Sequence, residues 1–291
     1  MFIFALVKIL AIIFEKIEKI KAEKKLPKNM KIDYYSDLPC EGDILKAYYI
    51  ILMYHIIPEK KLNKEIIGTF FLKWNIENKI EIIKVGKNNY NIKFNRVSNL
   101  DNKIEDRLFR IFSKISGKDK ILEVKEIKKI NRDDYYKINY WIQNLWKNEE
   151  KILKEKGLIQ NGELTETLGI DALKLKGFRN YLKNMSNISN REILEVNIWG
   201  EYLIFAKLLG VANKVEKQFK KLYPNLYFEK FENVIGATND YNYISNSISR
   251  DLNRLNSKYN VIAYYSSSSD SGGSYSSGGS SAGGSSGGGF R

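Results

Sequence analysis

Apolar positions along this chain recur mostly at helical spacing and alternate strictly with polar ones in a single stretch, and that contrast predicts its elements. Asp43–Ile57 reads as a helix closed by Pro58. Lys64–Asn78 reads as a second helix capped by Asn63, with Ile66, Ile67, Phe70, Phe71 and Trp74 at helical spacing. The alternation falls at Lys79–Val85 and Tyr90–Asn95. There Ile80, Ile82, Tyr90, Ile92 and Phe94 interleave with polar residues on either side of Gly86-Lys87-Asn88-Asn89, which predicts a β-hairpin. Asp101 opens a third helix, with Ile104, Leu108, Ile111, Phe112 and Ile115 on one stripe.

Beyond residue 130 only helical patterns follow. Asp133–Lys156 carries Ile138, Trp141, Ile142, Leu145 and Ile152 inward and is ended by Gly157. Thr165 caps Glu166–Met185, and Ser189 with Glu192 forms a capping-box pattern for the next helix. Ile193–Ala212 is apolar but interrupted by Glu195, Asn197, Glu201 and Lys207, which predicts a buried core helix rather than a membrane span. Gly210 loosens or bends that helix before Val211–Tyr223, Pro224 follows its end, and Asp240–Lys258 reads as a last, weaker helix. The predicted fold class is therefore α+β and mainly helical. A winged-helix-like unit over residues 26–130 precedes a helical domain over 131–265.

The two ends differ from this body. Residues 1–25 form an apolar stretch, Phe2–Phe14 with only Lys8 inside it, that runs into lysines at 16, 19, 21, 24, 25, 28 and 31. The stretch is shorter than the ~20 apolar residues that cross a bilayer, and it shows neither the leading charge nor the cleavage site of a secretory signal. An apolar helix entering a lysine-rich stretch suits the cytoplasmic edge of a membrane or an interfacial helix held by acidic lipid. An ordinary amphipathic helix is the competing reading, since Leu6, Ile9, Leu10, Ile13, Ile17 and Ile20 share one face. The predicted lipid contacts are Phe2, Ile3, Phe4, Leu6, Ile9, Leu10, Ile13, Phe14, Lys16 and Lys19. At the other end, residues 266–291 hold 12 Ser and 9 Gly in 26 positions, too few apolar groups for a core, which predicts a disordered tail.

Composition narrows the chemistry. The net charge of +14 invites anionic partners, although lysines dispersed over every element also simply solvate a surface. Cys40 and His55 are the only residues of their kinds, so neither an internal disulfide nor a structural zinc site can be built. His55 lies in the apolar run Tyr48–Ile57, where a half-buried structural histidine is the nearer reading. The adjacent acids Asp133/Asp134 and Glu149/Glu150 point about 100° apart on a helix and read as a solvated face, not as an acid–base pair. The aromatics Tyr135, Tyr136, Tyr140, Trp141 and Trp146 read as helix–helix contacts rather than a stacking platform. No catalytic residue, cofactor or metal is expected.

The order helix, helix, hairpin is also that of winged-helix domains, many of which bind DNA. The second helix offers only Lys64 and Lys73 among Glu65 and Glu77, and the hairpin offers Lys84, Lys87, Lys93 and Arg96. Those groups suffice for phosphate contact but not for base reading. Lys73, Lys84, Lys87 and Lys93 are the candidate nucleic-acid contacts, and protein packing is the preferred use of the unit.

Several stretches resemble a family of predicted membrane proteins of unknown function known as YciQ-like. They are Asp33-Tyr34-Tyr35-Ser36-Asp37-Leu38-Pro39, Gly177-Phe178-Arg179-Asn180-Tyr181-Leu182, Trp199-Gly200-Glu201-Tyr202-Leu203 continuing through Leu209-Gly210-Val211-Ala212 to Leu222-Tyr223-Pro224, and the Gly/Ser-rich end closing on Arg291. The resemblance implies a membrane protein with an extracytoplasmic β-rich domain, a spanning helix and cytoplasmic modules like these. It implies no catalytic residues. Within these residues there is no counterpart of the extracytoplasmic domain or of further spans, which leaves a fragment, a split gene product and a reduced relative as open readings. The expectation is a module at the cytoplasmic face of the cell membrane, contacting lipid and an unidentified protein partner, with nucleic-acid binding as the alternative.

Overall fold

In the computed structural model, residues 10, 13, 16–86, 89–97, 99–184, 196–222, 244, 246–255 and 257–259 are described. Phe2, Ile3, Phe4, Leu6, Ile9, Phe14, Lys87, Ser189, Glu192, Pro224 and the Ser/Gly tail lie outside them. The described residues form an α+β structure that is mainly helical, with two small antiparallel sheets.

Helix α1, Ile44–Met53, starts where the Asp43 carboxylate accepts hydrogen bonds from the Leu45 and Lys46 N–H groups. Helix α2, Glu59–Ile76, begins directly after Pro58, one turn before the start expected at Lys64. Proline's fixed φ pre-sets the entry to this helix. Asn63 is therefore inside α2 rather than capping it, and its Oδ1 accepts a 2.6 Å hydrogen bond from the Tyr48 hydroxyl.

The hairpin pairs β1, Ile80–Gly86, with β2, Asn89–Phe94, in the register Ile80↔Phe94 and Ile82↔Ile92. A third strand that the pattern did not reveal, β3, Ile121–Glu123, adds to β2 with Leu122 opposite Ile92. Ile80, Ile92, Phe94 and Leu122 are buried on the sheet, and Phe94 meets Phe71 of α2 and Phe109 of α3, Lys103–Ile115. Asn102 caps α3 by accepting from the Ile104 and Glu105 N–H groups.

Helix α4, Arg132–Glu155, lays Trp141 against Phe70 of α2, and the Trp141 indole donates to the Ile104 carbonyl at 2.7 Å. Gly157, at φ +70°, ends it. A tight hairpin follows, β4 (Ile159–Gln160) and β5 (Glu163–Leu164), turned by Asn161 and Gly162, both at positive φ. Helix α5, Glu166–Lys183, leads to α6, Val196–Leu208, and α7, Ala212–Leu222. Gly210 does not bend α6 but terminates it. At φ +66° it lets the Val211 N–H bond the Ala206 carbonyl while its own N–H bonds Lys207.

One continuous hydrophobic cluster joins these elements from Cys40 to Tyr259. Helix α2 lies at its centre, covered on one side by α6 and on another by the sheet and α3. The helical residues of 244–259 close over α4, where the Tyr259 ring meets Tyr135 at a tilt of 45° and its hydroxyl donates to the Ile130 carbonyl.

Candidate lipid-facing helix and cationic cavity

Residues 16–24 are helical, as are Leu10 and Ile13. Leu10, Ile13, Ile17 and Ile20 are 56%, 47%, 45% and 54% exposed. At about 100° per residue these four side chains fall within an arc of about 80°. Lys16 is exposed beside one edge of this stripe and Lys21 beside the other, while Lys19 is exposed about 100° from the stripe, toward the side of Ala22.

The opposite side of the segment touches the body. Ala22 is buried there, and Glu23 reaches Lys176 of α5 at 3.8 Å. The chain then runs as a strap along α5, seated in two glycine notches. A Cβ on Gly169 would lie 2.8 Å from Pro27 Cδ, and one on Gly177 would lie 2.9 Å from Ile32 Cγ2 and 3.1 Å from the Ile32 carbonyl. Tyr202 of α6 donates to the Ser36 carbonyl. In the helical segment Ala22 thus meets the body, while Leu10, Ile13, Ile17 and Ile20 are exposed. Among the described residues no helix is long and apolar enough to cross a membrane.

Of the candidate nucleic-acid lysines, Lys73 is on α2 while Lys84 and Lys93 are on the hairpin. Lys73 is half-buried and bridges Glu105 and Glu77, while Glu105 also accepts from the Trp74 indole at 2.9 Å. Lys84 lies over the Tyr90 ring, and Lys93 pairs with Glu81 at 3.4 Å. Helix α2 itself is buried at nearly every position from Glu65 to Trp74, so it offers no broad face to a groove.

The adjacent acids do not form a solvated face, because one member of each pair turns inward. Asp134 is buried at the start of α4, accepting from Asn131 and lying 3.4 Å from both Lys114 and Lys137. Glu149 is buried beside α1, and burial, then the Asp43 carboxylate, pushes its carboxyl up to about 7. Both acids follow the core stripe of a helix whose centre is covered on more than one side. Of the aromatic set, Tyr135 and Trp141 are core residues while Tyr140 is 53% exposed beneath the Arg107 guanidinium. His55 is half-buried at the end of α1 with φ +47°, and Cys40 is buried with its thiol pushed up by desolvation. Among the described residues no three His, Cys, Asp or Glu side chains are grouped as metal ligands.

A feature not anticipated from the sequence lies where α2, α5, α6 and α7 meet. A cavity of about 600 Å³ is lined by Lys61, Lys64, Arg179, Lys183, Lys207 and Lys214, with Glu65 the one carboxylate among the described lining residues. Three side chains draw these helices together. Lys61 donates to the Gly210 carbonyl at 3.0 Å, Arg179 Nε to the Leu209 carbonyl at 3.1 Å, and Gln218 to the Lys183 carbonyl at 2.9 Å. Glu65 is taken by the buried Lys207 ammonium at 2.6 Å. The six cations come from positions 61 to 214, so no local motif signals them.

Residues 162–219 match the C-terminal domain of the predicted membrane protein family DUF2207. The matched span runs from Gly162 in the β4–β5 turn through α5 and α6 into α7. It holds both glycine notches and four of the six cavity cations. No curated protein and no solved structure matches the chain.

Proposed function

We propose that this chain is a membrane-associated module whose N-terminal helical segment lies in the lipid interface at the cytoplasmic face and holds the folded body there for protein partners. The observation that carries this reading is the exposed stripe of Leu10, Ile13, Ile17 and Ile20, edged by exposed lysines on a segment docked through its opposite side. Such a helix buries its aliphatic face at the acyl boundary while lysines meet acidic headgroups. The match to a family of predicted membrane proteins supports the same reading. The burial of α2 and the pairing of Lys73 favour a protein-contact role for the body over nucleic-acid reading.

Co-sedimentation of the intact chain with vesicles tests it. The chain is expected to pellet with vesicles rich in phosphatidylserine, and a variant with Leu10, Ile13, Ile17 and Ile20 changed to serine is expected to stay in the supernatant. Equal pelleting of both proteins would discard the reading.

A further inference from the structure

Lysines at helix ends have an ordinary explanation. Cations near helix C-termini complement the dipole, and Lys61 and Arg179 donate to carbonyls at the end of α6. That explanation does not extend to the whole cavity. Lys214 stands in the first turn of α7, where a cation opposes the dipole, and that turn has no acidic residue. Neither Lys183 nor Lys214 has an acidic partner among the described residues. Burial, followed by the like charges of Arg179, Lys214 and Lys61, pushes the Lys183 ammonium below the usual lysine range. Lys207 is lowered first by burial, raised again by Glu65, and lowered further by Lys64 and Lys61. Like charges gathered in a concave, partly desolvated place repel one another, and Lys183 and Lys214 meet there without the carbonyl contacts that hold Lys61 and Arg179.

We propose that this cavity is a binding site for a phosphorylated ligand carrying at least two negative charges, either a soluble diphosphate-type metabolite or a phosphorylated lipid headgroup. With Lys207 neutralised by Glu65, Arg179, Lys183 and Lys214 still face the cavity without an acidic partner among the described residues, more charge than a single carboxylate would satisfy. Arg179 uses only Nε on the Leu209 carbonyl, which leaves the terminal guanidinium N–H groups for a bidentate contact to phosphoryl oxygens. Lys183 of α5 and Lys214 of α7 supply point charges. The volume of about 600 Å³ suits a small molecule.

The test uses the full chain and two charge-matched double variants. Lys183→Gln with Lys214→Gln removes two cavity cations that have no acidic partner among the described residues, and Lys118→Gln with Lys156→Gln removes two exposed cations elsewhere. Both must melt like the parent by circular dichroism. Titration with inorganic pyrophosphate at low salt is expected to show saturable binding, weakened about tenfold or more in the cavity variant and unchanged in the control. That result assigns a soluble ligand. Absence of pyrophosphate binding, with phosphatidic-acid vesicles losing affinity only for the cavity variant, assigns the headgroup instead. Equal behaviour of the two variants in both assays overturns the site. The apolar stripe is intact in both variants, so failure here is separable from failure of the membrane reading.

Discussion

Helix α2 and the helical segment ending near residue 24 are both rich in large apolar side chains, yet the fold treats them in opposite ways. Helix α2 is enclosed by α6, α3 and the sheet, and the charges it carries inward are each answered: Glu65 by Lys207 and Lys73 by Glu105. The N-terminal segment meets the body through Ala22 and Glu23 and leaves Leu10, Ile13, Ile17 and Ile20 in contact with solvent. Apolar content alone therefore does not say which helix is core. A small residue such as Ala22 facing the body, and large ones left exposed among the described residues, separate a helix that the fold displays from one that builds it.

The sharpest way to break this contrast is to unbalance α2. Glu65→Gln leaves the Lys207 ammonium, 1% exposed, without its counter-charge. The expected loss is about 3–5 kcal/mol in urea unfolding, as for other buried pairs that lose one partner. Replacing both partners, Glu65→Leu with Lys207→Met, is expected to restore most of that loss, since the paired charges give little net stability over apolar packing.

The strap that joins the two regions comes next. Gly177→Ala would press a methyl against Ile32 and Tyr35 from three directions, including a backbone carbonyl at 3.1 Å. The expected destabilisation is about 2–3 kcal/mol, larger than for Gly169→Ala, where Pro27 alone stands in the way at 2.8 Å. Equal effects in thermal melts would mean that the strap moves freely along α5.

Glu149 shows what burial does without a close cation. Its folded-state carboxyl is raised from 4.5 to about 7, so the folded chain holds this proton more tightly than the unfolded one. The contribution is fully present below pH 4.5 and is lost as pH rises through about 7. Glu149→Gln is expected to melt like the parent near pH 4.5 and to gain about 3 kcal/mol at pH 8. A constant difference across that range would show that Glu149 is solvated.

Where periodicity was strong, the fold was legible. The α3 stripe, the β1–β2 hairpin and α4 follow from spacing, because each shows a regular apolar period. Strand β3 was hidden because three residues are too few to show alternation. The β4–β5 hairpin had a signal in Asn161-Gly162, but its strands of two residues carry no pattern beside it. The start of α2 was misplaced because Asn63 looked like a cap, whereas Pro58 had already set the turn. The cationic cavity could not be read at all, since its charges converge only when α5, α6 and α7 fold onto α2. The glycines in α5 mark where the strap crosses, but a sequence does not say what a glycine makes room for.

The smallest stability effect is expected at the exposed helix, and it separates display from construction most directly. Leu10, Ile13, Ile17 and Ile20 make few contacts to lose, so changing all four to serine is expected to shift the unfolding free energy by about 0.5 kcal/mol or less. If that variant instead melts well below the parent, the stripe is covered in solution, and the segment belongs to the fold as α2 does. The lysines refine the test further. Lys16→Gln with Lys19→Gln keeps the aliphatic face and removes two charges worth about 1 kcal/mol each at an acidic surface. Binding to phosphatidylserine vesicles is then expected to fall by about 20- to 30-fold at low salt, with affinity for neutral vesicles unchanged. A parallel loss on both vesicle types would mean that these lysines hold the helix in shape, since only a contact with headgroup charge distinguishes the two surfaces.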